Sequence, residues 1–170
     1  MEIIIEPLAR KHNKRGFRCG NDQLNFYIGK IAAQHIKNGV YRIFVLAPKA
    51  NPTVIIGYYS ITTCDVRVES FQPSDRKKLP KSHPLPAGRL ARLAVTTKHQ
   101  GQDFGEKLLI HAMRNFLSAQ EAVGMCALFV DAKDESAGNF YRKYGFIQSS
   151  DDPLQFYLPT ATIRKALNPI

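Results

Sequence analysis

Residues 90–109 read LARLAVTTKHQGQDFGEKLL, and this stretch decides the fold. The apolar strand Leu90–Val95 leads into a short glycine-containing turn, and the turn opens an amphipathic helix predicted over Phe104–Val123. This order presents backbone N–H groups, at the positive end of a helix dipole, to whatever lies above the strand end. The stretch therefore indicates a turn that binds phosphate or pyrophosphate, although the carboxylate of Asp103 is unexpected beside an anion.

Length and composition are those of one globular domain, predicted over residues 1–170. No apolar run approaches the ~20 residues of a membrane span, and Met1–Glu6 has the pattern of a strand, not of a signal peptide. Cys19, Cys64 and Cys126 are far apart and lack the spacing of metal ligands, so reduced thiols in a cytoplasmic protein are expected.

The positive charge is unevenly distributed. The net charge is +10, and residues 1–99 carry a balance of +11 against −1 for residues 100–170. A basic half beside a neutral half favours a polyanionic partner such as RNA, DNA or an acidic protein. A surface that is basic without such a partner is the alternative.

The remaining elements alternate between strands and helices. This order predicts an α/β fold: a single domain with a mixed β-sheet flanked by helices on both faces. The near-continuous apolar run of Met125–Val130 indicates a central strand. The other predicted elements are a strand over Met1–Glu6, a helix from Asn21 or Asp22 to Asn38, a hairpin of Tyr41–Ala47 with Val54–Asp65, an exposed basic loop over Ser70–Pro86 with a short helical piece in Ser74–Leu79, a helix over Glu135–Tyr144, a strand pair of Phe146–Gln148 and Gln155–Leu158, and a helix over Thr160–Leu167.

Three segments together resemble the GNAT superfamily of acetyl-CoA-dependent N-acetyltransferases. They are the strand Arg92–Val95, the turn Gln100–Gly105, and the segment Asp134–Phe146 with its Phe-Tyr-x-x-x-Gly-Phe ending. The turn is similar to the Gln/Arg-x-x-Gly-x-Gly/Ala pyrophosphate loop of that family. The resemblance extends over nearly the whole chain and implies an acyltransferase that uses acetyl-CoA as acetyl donor and no metal.

A narrower resemblance is to the GNAT toxins of type II toxin–antitoxin pairs. It is carried by Phe17–Gly20 followed by Leu24, by Gly57–Ser60, by Gly88–Val95 and by Val130–Glu135. Those enzymes acetylate the amino group of aminoacyl-tRNA and so block translation, and they are often homodimers. Their antitoxins are typically small ribbon-helix-helix proteins. The resemblance therefore implies a charged tRNA as acceptor, and the basic half of the chain fits this.

The resemblance also assigns residues to acetyl-CoA. The main chain of Leu93, Ala94 and Val95 would hydrogen-bond the pantetheine arm, and Asn139 and Phe140 would line it. Glycines in the turn allow close approach of the backbone to a ligand. The turn that would surround the pyrophosphate consists of Gln100, Gly101, Gln102, Asp103, Phe104 and Gly105.

Asp103 departs from the family pattern, which usually has glycine at this position. Aspartate tolerates a left-handed backbone better than most residues, so the turn can form, but its charge opposes a pyrophosphate at close range. Either the carboxylate points to solvent and CoA binds weakly, or CoA binding is lost. We expect the first outcome.

Tyr141 is the predicted catalytic residue. An amine attacks the thioester and CoA thiolate leaves; a tyrosine, with an ordinary pKa near ~10, can donate a proton to that thiolate. No general base is evident in the sequence. An α-amino group titrates near ~8 whereas a lysine titrates near ~10.4, so this absence favours an α-amine acceptor. Packing beside Phe140 is the alternative role for Tyr141.

Basic residues are candidates for contacts with tRNA phosphates, with a solvated basic surface as the alternative for each. Phosphate contacts give affinity that depends strongly on salt. Four lie near the N-terminus: Lys11, Lys14, Arg15 and Arg18. The six assigned to tRNA binding are Arg76, Lys77, Lys78, Lys81, Arg89 and Arg92.

Two other functions remain open from the sequence. The first is a GNAT enzyme that acts on a small amine or a protein N-terminus. The second is a GNAT-like fold that no longer binds CoA and serves as a protein- or RNA-binding module, which Asp103 would favour.

Overall fold

A computed structural model describes residues 1–81 and 83–168, and in these residues seven strands form one mixed sheet. The strand order is β1-β2-β3-β4-β5-β7-β6. This confirms the predicted α/β class with a mixed sheet flanked by helices. The strands are β1 Ile3–Pro7, β2 Arg42–Pro48, β3 Gly57–Val66, β4 Leu85–Val95, β5 Ala127–Asp131, β6 Ile147–Gln148 and β7 Gln155–Pro159.

In the described residues, six α-helical segments and a π-helical turn accompany the strands, and the last helix follows the final strand. The predicted first helix begins at Asp22 and is capped by the side chain of Asn21, which accepts a hydrogen bond from Leu24 N. A π turn over Tyr27–Ile31 interrupts it. The α-helices are α1 Asp22–Phe26, α2 Ala32–Lys37, α3 Pro73–Arg76, α4 Phe104–Ala122, α5 Glu135–Lys143 and α6 Thr160–Leu167.

The chain divides into two compact units, and the division passes through β3, β4 and α4. The first unit comprises Met1–Thr62 and Ala91–Ala112. The second comprises residues 63–90 and 113–168 of the described chain. The prediction that residues 1–170 form a single domain includes residues 169 and 170, which lie outside the described residues, and it stays a prediction.

The first unit is organised around the antiparallel strands β1, β2 and β3. The hairpin of β2 and β3 predicted from the sequence is confirmed, with Phe44 opposite Tyr59. Aromatic side chains from three segments meet in its core: Phe17 packs edge-on against Tyr58 with ring centroids 5.3 Å apart, and Tyr27 stacks on Tyr58 at 6.3 Å. This core fixes the loop before α1 and the helix itself against the sheet.

The second unit is organised around β5, whose first four residues are fully buried. β5 lies between β4 and β7, which confirms the predicted central strand. Its register with β4 is parallel, covers three pairs and ends at Leu90 opposite Val130. Phe71, Phe129 and Tyr157 form a buried aromatic cluster, with ring centroids 4.9–5.4 Å apart.

The predicted basic loop over Ser70–Pro86 is more ordered than expected. Helix α3 is shorter than the predicted piece in Ser74–Leu79, and β4 begins at Leu85, five residues earlier than predicted. The Tyr157 hydroxyl attaches this segment to the core. It accepts a hydrogen bond from Gln72 N at 2.9 Å and donates one to the Asp75 carboxylate at 2.5 Å. Ser82, inside the predicted loop, lies outside the described residues.

No helix in the described part of the chain is long and apolar enough to cross a membrane. The three cysteines are free thiols. Burial raises the pKa of the Cys64 thiol to about 11 and also raises that of Cys126. These two thiols are therefore protonated at neutral pH.

Candidate active site

The turn after β4 has the backbone of an anion site. Gly101 and Asp103 adopt positive φ angles of 76° and 66°. An added Cβ at Gly101 would meet no atom within 4 Å, so the space beside this backbone is open. The first N–H groups of α4, which begins at Phe104, have no partner inside the helix. Such groups at the positive end of the helix dipole suit a phosphate ester.

Two glutamine side chains hold the turn. The Gln100 amide nitrogen donates to Val95 O at 2.9 Å and to Cys19 O at 3.1 Å. The amide nitrogen of Gln102 donates to Lys98 O at 3.3 Å. These side-chain nitrogens are bound to protein carbonyls, so in this structure the two glutamines order the turn. The Val95 carbonyl therefore already accepts a hydrogen bond from the protein.

Asp103 forms the last residue of the turn and its side chain is exposed. Its φ of 66° lies in the left-handed region, which aspartate tolerates better than most residues. Its carbonyl accepts the Lys107 N–H at 3.2 Å and so starts α4. The aspartate is thus compatible with the turn.

The end of β4 is fixed by close contact with β3 and α4. Ala94 is buried, and Leu93 and Val95 are half-buried. A Cβ on Gly57 would lie 2.9 Å from Ala94 O and 2.8 Å from Leu108 Cδ1. Glycine is therefore required where β3 passes this strand end. The predicted role of the three main chains toward a pantetheine arm stays a prediction.

Tyr141 lies in α5 and is 4% exposed. Its ring makes edge contacts with Phe140 and Phe146, at centroid distances of 5.3 Å and 5.7 Å. Burial raises the pKa of Tyr141 well above 10, with the Asp131 charge as a second cause. The phenol is therefore protonated at every physiological pH.

The Tyr141 hydroxyl keeps some solvent-accessible surface although its ring is buried. Every buried side-chain nitrogen and oxygen in residues 1–81 and 83–168 has a hydrogen-bond partner. The Tyr141 hydroxyl has no partner in those residues, so its oxygen retains accessible surface. A protonated, unengaged hydroxyl on a rigid ring is an available hydrogen-bond or proton donor.

Three other residues at the start of α5 and within it differ in environment. The Asp134 carboxylate caps the helix by accepting from Ala137 N at 2.9 Å. Asn139 is exposed, and its side-chain oxygen accepts from Arg142 Nη1 at 2.9 Å. Phe140 is half-buried between Tyr141 and Tyr144. These residues lie together in the second unit, while the turn and Leu93–Val95 lie together in the first.

The three arginines assigned to tRNA are already engaged with the protein. Arg76 donates to Phe71 O at 2.7 Å, to Glu69 O and to Ser150 Oγ. Arg89 pairs with Asp131, with Nε 2.6 Å from Oδ2. Arg92 lies over the Tyr27 ring, with Cζ 3.6 Å from the centroid, and donates to Ser60 Oγ. Their assignment to tRNA binding stays a prediction. Their contacts within the protein also give each of them a structural role.

The three lysines of the same set are different. Lys77, Lys78 and Lys81 are exposed and form no ion pair within the part of the chain that the structure describes. Their charges are therefore not neutralised by a neighbouring described carboxylate. They are the members of the predicted tRNA set best able to meet phosphates.

A basic pocket in the first unit was only partly anticipated. It has a volume of about 430 Å³. Lys14, Arg15 and Arg18 were predicted phosphate contacts, but Phe26 and Lys30 were not singled out. The signal was present in the spacing of Asp22, Phe26 and Lys30, which places an aromatic ring on the polar face of an amphipathic helix.

Metal ligation finds no support in the described residues. No group of three or more His, Cys, Asp or Glu side chains there could hold a metal ion.

The comparison with known proteins identifies the family. Residues 40–148 match the family described as acetyltransferase (GNAT) domain. A protein of Mycobacterium tuberculosis (strain ATCC 25618 / H37Rv) named tRNA-acetylating toxin is 32% identical over 143 residues, which cover 84% of this chain and 82% of the relative. The chain therefore belongs to the GNAT acetyltransferase family, as the sequence motifs predicted.

Solved structures of GNAT toxins share the fold. AtaT complexed with acetyl-methionyl-tRNAfMet has a TM-score of 0.90 and 29% identity, over 98% of this chain and 100% of that one. A tyrosine-to-phenylalanine variant of the AtaT toxin, bound to the C-terminus of the antitoxin AtaR and acetyl-CoA, has a TM-score of 0.82 and 27% identity, over 98% of each chain.

Proposed function

We propose that this protein transfers the acetyl group of acetyl-CoA to the α-amino group of aminoacyl-tRNA and thereby stops translation. The observation that carries the proposal is the similarity, over 98% of the chain, to AtaT in complex with acetyl-methionyl-tRNAfMet. The relative named tRNA-acetylating toxin supports the same substrate class. The excess of positive charge in residues 1–99 suits a polyanionic acceptor.

In this proposal acetyl-CoA is held by backbone more than by side chains. The turn Gln100–Gly105 offers the N–H groups of the α4 terminus to the pyrophosphate, and the main chain of Leu93–Val95 faces the pantetheine arm. The open space beside Gly101 supports the first assignment, because nothing there would obstruct a phosphate. Asp103, being exposed, lowers the affinity without closing the turn.

Tyr141 acts as the general acid. The amine nitrogen attacks the thioester carbonyl, the C–S bond breaks, and the Tyr141 hydroxyl gives its proton to the leaving sulfur. The proton lost by the new amide nitrogen restores the phenol directly or through water, so protons balance over a turnover. Burial keeps Tyr141 protonated until it is needed.

The acceptor amine enters in its neutral form. An α-amino group with a pKa near ~8 is partly neutral at pH 7, whereas a lysine side chain near ~10.4 is almost fully charged. An α-amine can therefore attack without a dedicated protein base. This favours aminoacyl-tRNA over a lysine side chain.

We further propose a small antitoxin partner and a homodimer. Relatives support the partner, because AtaT has been seen bound to the C-terminus of AtaR. The ribbon-helix-helix fold of the antitoxin and the dimeric state follow from the family resemblance. Co-expression with the gene adjacent to this one, followed by affinity capture and light scattering, tests both.

The direct test of the function is acetyl transfer to total charged tRNA. Labelled acetyl-CoA is incubated with the protein and with charged or chemically deacylated tRNA, and label in the tRNA is counted. We expect label only with charged tRNA. Label in a small amine or a protein N-terminus, with none in tRNA, would support the alternative GNAT enzyme.

Acetyl-CoA binding tests the remaining alternative. Calorimetric titration of the protein with acetyl-CoA should give saturable binding. Absence of binding at millimolar acetyl-CoA would contradict the proposed function and support a GNAT-like binding module.

A further inference from the structure

The pocket beside the loop that precedes α1 is strongly basic. It is lined by the cations Lys14, Arg15, Arg18 and Lys30 and by one carboxylate, Asp22. None of the four cations has an ion-pair partner among residues 1–81 and 83–168. A volume of about 430 Å³ lies within the range of small-ligand sites. The balance of four unpaired cations to one carboxylate selects an anionic ligand.

Phe26 adds an aromatic surface to the same pocket. It is 58% exposed, although its neighbours Tyr27 and Ile28 are buried. The π turn over Tyr27–Ile31 follows it directly, and such turns frequently mark functional sites. An exposed ring beside cations is the arrangement that stacks a nucleobase while its phosphates are neutralised.

The pocket adjoins the phosphate turn of the candidate active site. Thr97 N donates to Arg18 O at 3.0 Å, and the Gln100 amide donates to Cys19 O at 3.1 Å. These hydrogen bonds join the segment that carries Lys14–Arg18 to the residues preceding α4. The segment that carries the three N-terminal cations of the pocket therefore lies next to the turn.

The guanidinium of Arg18 is held in place for this role. Its Nη1 donates to Arg15 O at 2.8 Å and to Phe17 O at 2.7 Å. Its Nε and Nη2 bond to no residue that the structure describes, so they remain available to an anion. A fixed guanidinium loses little side-chain freedom on binding phosphate.

We infer that Lys14, Arg15, Arg18, Phe26 and Lys30 form a nucleotide pocket, in which the base stacks on Phe26 and a phosphate ester contacts the cations. The choice of ligand rests on the proposed function, because both of its substrates carry such a group. The nucleotide is either the adenosine 3′-phosphate end of acetyl-CoA or a nucleotide of the aminoacyl-tRNA.

The experiment compares affinities rather than activity. Dissociation constants are measured for acetyl-CoA and its 3′-dephospho form by calorimetry, and for tRNA by fluorescence anisotropy. The variants are Phe26→Leu, Phe26→Tyr and Lys30→Ala, with Lys165→Ala, an exposed lysine on α6, as matched control. Thermal melting confirms that each variant folds.

Loss of the ring should weaken binding of the true ligand roughly fivefold or more, while Phe26→Tyr keeps it near wild type. Lys30→Ala should weaken it severalfold and lower its salt dependence. If Phe26→Leu weakens binding of acetyl-CoA and of its 3′-dephospho form, while the loss in Lys30→Ala appears only with acetyl-CoA, the pocket binds the CoA nucleotide. If they appear with tRNA alone, the pocket binds the acceptor.

Two results would overturn the pocket. In the first, the wild type binds acetyl-CoA and tRNA, and the dissociation constants of Phe26→Leu and Lys30→Ala equal those of Lys165→Ala for every ligand. This result would contradict the pocket and leave the proposed function intact. In the second, Lys30→Ala weakens binding and Phe26→Leu does not. The surface would then bind anions in general and would not recognise a nucleotide base. Failure of the wild type to bind either substrate would overturn the proposed function and the pocket together.

Discussion

Tyr141 combines a buried ring with a hydroxyl that no described residue engages. A tyrosine kept only for packing would need no such arrangement, because phenylalanine packs equally well without a polar atom to satisfy. Burial raises its pKa, so deprotonation is shifted to higher pH than for a free phenol. The unengaged hydroxyl favours a proton donor, and the raised pKa keeps it protonated although it makes the phenol a weaker acid.

Replacing Tyr141 by phenylalanine should lower kcat about 10²-fold and leave the Kd for acetyl-CoA nearly unchanged, because only the proton donor is lost. Thermal stability should change little, since the two side chains share the same ring. Steady-state kinetics and calorimetry measure the two quantities. Equal turnover in the variant and the wild type would contradict the role of Tyr141.

The pH profile of the wild type follows from the same residue. The rate should rise as the α-amine loses its proton near pH ~8, and then stay level toward pH 10, because the raised pKa keeps Tyr141 protonated. Initial rates corrected for hydrolysis of the aminoacyl ester measure this profile. A fall between pH 8 and 10 that disappears in Tyr141→Phe would contradict the raised pKa.

The effect of the Asp103 charge on acetyl-CoA binding can be tested apart from the effect of its backbone conformation. Asparagine also tolerates the left-handed conformation that φ 66° requires, so Asp103→Asn removes only the charge. We expect acetyl-CoA to bind severalfold more tightly, with the difference shrinking at high salt. Asp103→Gly should tighten binding as well. Calorimetry at two salt concentrations measures this, and unchanged or weaker binding by Asp103→Asn would contradict electrostatic opposition.

At the scale of elements, two glycines allow α4 to lie against the strands. In the first unit a Cβ on Gly57 would approach Leu108 within 2.8 Å, and in the second unit a Cβ on Gly88 would approach Phe116 within 2.6 Å. Leu108 and Phe116 are both fully or almost fully buried. Because neither neighbour can withdraw without disturbing a packed core, a methyl group at either position strains the structure.

Gly57→Ala should therefore lower the free energy of unfolding by about 1–3 kcal/mol. The Ala94 carbonyl, 2.9 Å from the added Cβ, is backbone and cannot rotate away as a side chain can. Gly124→Ala is the matched control, since nothing lies within 4 Å of that position. Denaturant unfolding measures both, and equal stability of the two variants would show that the contact at Gly57 is not strained.

Elements with a strong local signal were predictable from the sequence. The glycine-containing turn, the buried strand β5 and the helix α5 have such signals, and all three were found. The early start of β4 was missed, because Leu85–Arg89 contains proline, alanine and glycine, which are poor strand formers. Pairing with β5 at Gly88–Leu90 and the bond from Cys126 N to Pro86 O extend the strand there.

The partners of charged side chains were not predictable. Arg89 and Arg92 appeared in the sequence as equivalent cations, yet one pairs with Asp131 and the other stacks on Tyr27. Both partners are distant in sequence, so only the folded chain reveals them. The π turn over Tyr27–Ile31 was likewise not predictable, because the hydrophobic spacing of the helix does not reveal it.

For the whole molecule, the uneven charge predicts salt-dependent binding of tRNA. The triple variant Lys77→Ala, Lys78→Ala, Lys81→Ala should reduce the slope of log Kd against log salt concentration by about 2, because up to three phosphate contacts are lost. Lys165→Ala, in the neutral half, should leave the slope unchanged. Fluorescence anisotropy over a salt series measures it, and a wild-type affinity independent of salt would contradict the basic surface.

The central claim, acetyl transfer to the α-amine of aminoacyl-tRNA, is tested most directly by the chemistry of the product. Total charged tRNA is incubated with the protein and acetyl-CoA, then digested to its 3′-terminal aminoacyl-adenosines, which are identified by mass spectrometry. We expect at least one aminoacyl-adenosine to gain one acetyl group on its α-nitrogen with the wild type, and far less of this product with Tyr141→Phe. Aminoacyl-adenosines that all remain unmodified, under conditions where the protein binds acetyl-CoA, would contradict it.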